Sequence, residues 1–463
     1  MKLLYTILAC SFLASCHAAS VISKSHSEPL RRSPPSASPS TLPPVTELNI
    51  ANGVIAPDGF ARSATLAGGI FPGPLIKAQK NDHFRIRVVN QLRDKTMPLS
   101  TSVHWHGIRQ KKTNWADGVA FITQCPIPSN GSFLHRFSAP GQTGTYWYHS
   151  HFSTQYCDGL RGPIVIYDPE DPHKDLYDVD DENTVITLSD WYHDPSSKLN
   201  QIVGAVTNNS TLINGLGRYP NGPKSPLAVI NVEQGLRYRF RVIDPTSTGG
   251  PYVMPFNEAK LVPLQSMPVP GVPEIGKADV SINLAAGNVN GFFTMNNVTY
   301  QNPPMPVLLQ MLSGARHPSD LLPNGTVYEL PSNKVIEITI PDTGAAPGGP
   351  HPMHLHGHNF AVVRVAGNKT ANFVNPIWRD TVSMGSAGDN VTIRFVTDNP
   401  GPWFFHCHID FHLLKGFAVV MAEARNEISQ VAASIPPAWG ELCSPNDPYT
   451  QAHAGAFNTS SPA

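Results

Sequence analysis

Four segments that each carry a His-x-His pair, spread along most of the chain, constrain its fold more than any other feature. They are His104 and His106 in "HWHG", His149 and His151 in "HSH", His354 and His356 in "HLHG", and His406 and His408 in "HCH". On a β-strand alternate side chains share a face, so each pair presents two imidazoles in one direction. One such pair alone reads more often than not as surface histidines on a strand. Four of them are very improbable by accident, and a fold that gathers the four strands brings eight imidazoles to one place. The rest of the composition suits strands joined by turns. Short runs of Val, Ile, Thr, Phe and Tyr lie between 45 prolines and 36 glycines, which is the punctuation of an all-β chain. At 463 residues and 41% hydrophobic, two or three domains with real cores are expected. A formal net charge of −1 with 14% charged residues argues against nucleic-acid or anionic-membrane partners.

The last pair interrupts its own pattern with a thiol. In "PGPWFFHCHIDFHLLKGF", from Pro400 to Phe417, the approach Trp403-Phe404-Phe405 reads as a strand. His406 and His408 then face one way and Cys407 the other. Eight converging imidazoles suit a cluster of copper ions, and on the thiol side His351, Cys407 and His412 are the ligand set of a trigonal blue-copper centre. One strand thus serves two metal sites, expected on the order of 10 Å apart. Phe417, ten residues after Cys407, stands where such centres often carry an axial Met. Phe cannot coordinate, which predicts a raised reduction potential.

Residues 1–18, with Lys2 ahead of an apolar run and small residues near Ala18, read as a secretory signal peptide. Residues 19–45 are Ser/Pro-rich, carry Arg31-Arg32, and read as a linker or propeptide. No later apolar stretch approaches ~20 residues, so no membrane span is expected. Acceptor sequons at Asn130, Asn208, Asn209, Asn297, Asn324, Asn368, Asn390 and Asn458 fit a secreted, extracellular glycoprotein. Cys125, Cys157, Cys407 and Cys443 remain after the leader, and an oxidising compartment favours pairing among them.

The segments "HWHGIRQKKTNWADGVAFITQCPI", "GTYWYHSHFSTQYCDGLRGPIVIYDP", "HPMHLHGHNFAVVR" and "GPWFFHCHIDFHLLKGFAVVMAE" resemble the four copper-binding segments of fungal laccases, in order and spacing. The resemblance covers about Pro44 to Asp244 and Pro268 to Cys443. It implies a multicopper oxidase of three cupredoxin-like Greek-key β-sandwich domains, a monomer with four copper ions per chain. His351, Cys407 and His412 would hold type 1 copper. His104 and His354 would hold type 2, and His106, His149, His151, His356, His406 and His408 the type 3 pair. His358, inside the third motif, is not a ligand in that pattern. Asp117 in "WADG" would be a proton relay or an orienting group, though an Asp-Gly turn explains it equally well. Asp410 has a similar choice. The implied substrates are small phenols or aromatic amines and dioxygen, with electrons passing from Cys407 through His406 and His408. Cys125 would bridge to Cys443.

The resemblance fails after Asp244. The later strands of the second domain are missing, with the partner that the family gives Cys157 and an acidic residue of the phenol pocket. The expected units are therefore residues 46–169, a truncated middle domain over 170–254, and 255–463. Two further readings stay open: a copper-binding but inactive truncated isoform, or another multicopper oxidase such as a ferroxidase. The latter would want more carboxylates around His351 and His412 than Asp410 provides.

Overall fold

The computed structural model describes residues 46–202, 206–244, 258–314, 320–321 and 323–443. The leader and linker expected over 1–45, and the boundary expected at 254, lie outside these residues. Strands dominate, and no described helix is long and apolar enough to cross a membrane.

Two four-stranded sheets form the first sandwich. One runs in the order Arg62–Ala67, Glu47–Ile55, His83–Asn90, Ser132–Ser138, and the other Ile76–Gln79, Arg161–Tyr167, Gly144–Ser150, Val103–His106. Glu47–Ile50 pairs in parallel with Arg87–Asn90, and Ile76–Gln79 with Ile164–Tyr167, inside otherwise antiparallel ladders. Such non-sequential pairings mark a Greek key rather than a meander. The strand "HFRIRVVN" shows the sequence logic. Phe84, Ile86 and Val88 are buried while His83, Arg85 and Arg87 are exposed, so one face meets the core and one meets water.

A second sandwich has two five-stranded sheets. Val280–Asn283, Val335–Pro341, Asn390–Val396, Phe360–Arg364 and Trp378–Arg379 form one. Val327–Leu330, Ala418–Glu423, Gly401–Cys407, Pro352–Leu355 and Thr381–Ser383 form the other. Every residue of Gly401–Cys407 is buried. One side of that strand packs in its own core, with Trp403, Phe405 and Cys407. The other sends Phe404 against Val119 and Ile122 of the first sandwich. The seam is fastened by the Cys125–Cys443 disulfide, as the resemblance implied, and by Trp439 Nε1 donating to the Thr123 carbonyl at 2.9 Å.

Between the sandwiches in sequence lies a single sheet, ordered Leu216–Gly217, Ser210–Ile213, Val185–Trp191, Arg241–Ile243. Its inner face packs on the first sandwich through Trp191 and Leu212 with Ala64 and Leu66, and through Val185 and Ile243 with Val165. Its outer face leaves Ile213 44% and Val242 56% exposed. Apolar residues on a sheet face are ordinarily covered by a second sheet, and among the described residues none covers this one.

Candidate metal centres

The thiol-bearing site forms at the end of the central strand. Met353 pairs with Cys407 across the ladder, His351 precedes that partner strand, and His412 lies on the short helix Asp410–Leu414 that follows. Cys407 Sγ is 3.7 Å from Nδ1 of both His351 and His412, and the two Nδ1 atoms are 3.1 Å apart. His351 Nε2–H donates to the Ala346 carbonyl at 3.1 Å, which leaves the Nδ1 lone pair facing the sulfur. Burial pushes the Cys407 thiol up, and burial followed by the charges of His351 and Lys415 pushes His412 down to about 3. Two neutral imidazoles and a thiol hard to ionise unaided make a thiolate stable here only with a cation bound. Phe417 is fully buried, with its ring centroid 5.0 Å from that of His351. Phe293 stacks on Phe417 at 4.9 Å and lies 4.5 Å from His412. The sulfur therefore has an apolar lid.

The imidazole cluster sits at the seam, where register does the assembling. His104 pairs directly with His149 in the first sandwich, and His354 with His406 in the second. The second members of three pairs, His151, His356 and His408, lie just past their strand ends rather than on the strands as the alternation predicted. After "HLH" the chain turns at Gly357 (φ +74°), where a Cβ would stand 2.3 Å from the Trp403 ring, so the strand stops where the indole must pack. All eight rings nonetheless converge. His356 Nε2 is 3.0 Å and His151 Nε2 3.4 Å from His406 Nε2, while His408 Nε2 is 3.2 Å from His106 Nδ1.

These contacts fit metal ions. Nitrogens each held at about 2.0–2.1 Å from one tetrahedral metal lie about 3.3 Å apart, which matches the spacings found. His104, His149 and His354 donate from Nδ1 to the carbonyls of Asp117, Ser150 and Asp380 at 2.8, 2.8 and 2.9 Å. Their Nε2 atoms are buried without a hydrogen-bond partner. Three orphaned lone pairs aimed into one cluster would be costly without an ion. Burial first, then repulsion among the rings, holds His106, His149, His151, His354, His356 and His406 well below the ordinary imidazole range, and burial takes His408 to about 4. Neutral rings are what metal ligation needs.

Asp117 is fully buried and joins two of the clustered histidines. Its Oδ2 accepts from His356 Nδ1 at 2.9 Å and its Oδ1 lies 3.2 Å from His104 Nδ1. It also sits at a turn, with Gly118 following at φ +81°. Asp410 is buried and accepts from the Cys157 thiol at 3.7 Å. His358 meets the buried carboxylate of Glu423 at 2.9 Å. Sequence reasoning missed Asp380, whose Oδ1 lies 3.2 Å from His106 Nε2 while its carbonyl orients His354. "IWRDTV" carries no motif. Only the pairing of His354 with Thr381 brings Asp380 to the cluster.

Multicopper oxidase family models match residues 49–171, 182–253 and 300–427. The chain is 47% identical to laccase-4 of Trametes villosa over 490 positions, covering 86% of this chain and 93% of the relative. This chain belongs to the multicopper oxidases. A laccase of Pycnoporus cinnabarinus is 46% identical, with the same coverage of both chains. Among solved structures, this multicopper oxidase superposes on the laccase from Botrytis aclada with a TM-score of 0.68 at 24% identity, over 89% of this chain and 92% of that one. It also superposes on Fet3p, a multicopper oxidase that functions in iron import, with a TM-score of 0.68 at 24% identity, over 86% and 94%. The Trametes villosa alignment has more positions than this oxidase has residues. Since 86% of 463 is about 398, roughly 92 of the 490 positions belong to the relative alone.

Proposed function

We propose that this chain is a laccase-type oxidase, taking one electron at a time from phenols or aromatic amines and reducing dioxygen to water. The observation that carries the reading is a single tripeptide, His406-Cys407-His408, with its thiol in one ligand set and its imidazoles in the other. His351, Cys407 and His412 would hold one copper, and His104, His106, His149, His151, His354, His356, His406 and His408 would hold three. Copper, when bound, supplies one-electron acceptance at the thiolate site and four-electron reduction of dioxygen at the cluster. The protein supplies the rest. The half-buried ring of His412 would be the edge that meets substrate, and the backbone between Cys407 and its neighbours gives a short covalent path between sites. Asp117, bonded to His356 and beside His104, would orient both and pass protons toward the cluster. Four phenols give four radicals and four protons for each dioxygen converted to two waters. The chain would be secreted, a reading supported by its leader-like start and sequons, and would act as a monomer with residues 46–169, 170–254 and 255–463 as its units.

Copper analysis together with phenol-dependent oxygen uptake tests this. Four coppers per chain, a blue band and phenol-driven uptake are expected. Cys407→Ser should abolish the band and the phenol oxidation, and a Cys407→Ser protein that keeps both would refute the assignment.

A further inference from the structure

The ring of His412 that would meet a substrate has a basic neighbour just past the end of its helix. Lys415 follows by one turn, and its backbone N–H donates to the His412 carbonyl at 3.1 Å. Its ammonium donates to the carbonyl of Ile202 at 3.2 Å, which pins the charge at the rim between this helix and the segment after Ser196–Leu199. Among the described residues no carboxylate pairs with Lys415. The His412 Nδ1 is turned inward to Cys407 and His351, so the Nε2 side is the outward one. Gly348 keeps that side open, since a Cβ there would lie 3.0 Å from Nε2. Phe293, 4.5 Å from the ring, offers an apolar wall. The nearby acidic groups do not offset the ammonium. Asp410 is buried against Cys157, and Asp342 is buried with its carboxylate accepting from Gly344 N at 2.8 Å.

Given oxidation of phenols at His412, as proposed above, we infer that Lys415 is a specificity-determining residue that favours aromatic anions. Phenols bearing a carboxylate or sulfonate are the preferred class over neutral phenols of the same reactivity, and phenols bearing a quaternary ammonium are disfavoured. A single ammonium attracts an anion as it approaches but makes no bond that neutral phenols lose, so the effect falls on kcat/KM and on salt dependence. An Fe(II) cation is repelled by the same charge, which sets this rim against ferroxidase chemistry.

The test compares the copper-loaded wild type with Lys415→Met, Lys415→Glu and Lys415→Arg, each substrate being measured against itself across variants. For a phenol carboxylate, kcat/KM should fall roughly threefold in Lys415→Met and roughly tenfold in Lys415→Glu. It should hold in Lys415→Arg, and the differences should shrink at 0.5 M salt. A neutral phenol should change less than twofold, and a quaternary ammonium phenol should gain in Lys415→Glu. Anaerobic bleaching of the blue band by ferrocyanide should slow in the same order. Binding of a naphthalenesulfonate to the metal-free protein, followed by fluorescence anisotropy, should weaken in Lys415→Glu. Equal changes for all three phenols, or an unchanged anion rate, would overturn the inference. Charge-ordered bleaching by ferrocyanide without oxidation of any phenol would instead refute the proposed function and leave the role of Lys415 standing. A copper-loaded protein with no blue band would overturn both.

Discussion

Replacing Arg62 tests how the short middle sheet is held. Arg62 Nη1 meets Asp158 Oδ1 at 2.9 Å, with side-chain exposures of 5% and 0%. The same carboxylate accepts from Ser196 N at 2.9 Å and Ser196 Oγ at 2.6 Å, and the guanidinium lies 4.2 Å over the Trp191 ring. Removing one partner of a buried pair costs about 3–5 kcal/mol because the other charge is left stranded. Ser196 still gives Asp158 two donors, so Arg62→Met should cost about 3 kcal/mol, the cation–π contact with Trp191 included. The double variant Arg62→Met/Asp158→Asn strands no charge and should cost about 1 kcal/mol, so the second substitution should restore about 2 kcal/mol of what the first removes. Urea unfolding followed by tryptophan fluorescence reads both, since Trp191 is fully buried beside the pair. Burial raises the Asp158 carboxyl against the pull of Arg62 and Ser196, and loss of Arg62 raises it further. A raised folded pKa means that the folded state takes the proton first. The Arg62→Met penalty should therefore shrink as the pH falls from 7 toward 5. A restoration below about 0.5 kcal/mol, or a penalty that grows with acid, would refute the account.

Three further outcomes are expected. The Cys125–Cys443 bridge spans 318 residues of sequence, so Cys125→Ala/Cys443→Ala should lose up to about 5 kcal/mol, read as a lower melting temperature, and peptide mapping without reduction should recover the two cysteines together. Gly118→Ala would put a Cβ 1.8 Å from the Val103 carbonyl at φ +81°, beside His104, and should lower both yield and copper content, whereas Gly440→Ala, with nothing within 4 Å, should leave both unchanged. A relative's middle-domain segment inserted after Asp244 should raise secreted yield and reduce aggregation, because the outer face at Ile213 and Val242 would gain a cover. Equal yield and equal melting temperature would show that the short sheet needs none.

Both clusters of candidate ligands were legible in the sequence because metal ligation demands particular atoms at fixed spacing, and alternation on a strand links spacing to direction. The same rule misplaced His151, His356 and His408 on strands, since it knows nothing of the Trp403 ring that ends the strand at Gly357. Asp380 was invisible for a related reason. Its contact with His106 spans 274 residues of chain and depends on two sandwiches meeting, which no local pattern records. Asp117 was half legible, because a turn aspartate and a ligand-orienting aspartate look alike until the fold shows what lies across from them. The Cys125–Cys443 pairing followed from resemblance alone, since nothing in the spacing of four cysteines selects it.

Cys157 is an idle thiol placed at a working seam. Fully folded, it is buried against Asp410, and burial followed by that carboxylate pushes its pKa well up, so alkylating reagents find neither access nor thiolate. Of the two free cysteines among the described residues, Cys407 is the one a metal would shield. The rate at which Cys157 is labelled in the loaded protein thus becomes a clock for local opening. It counts the moments when the helix that carries His412 lifts from the first sandwich, and does so without perturbing either ligand set.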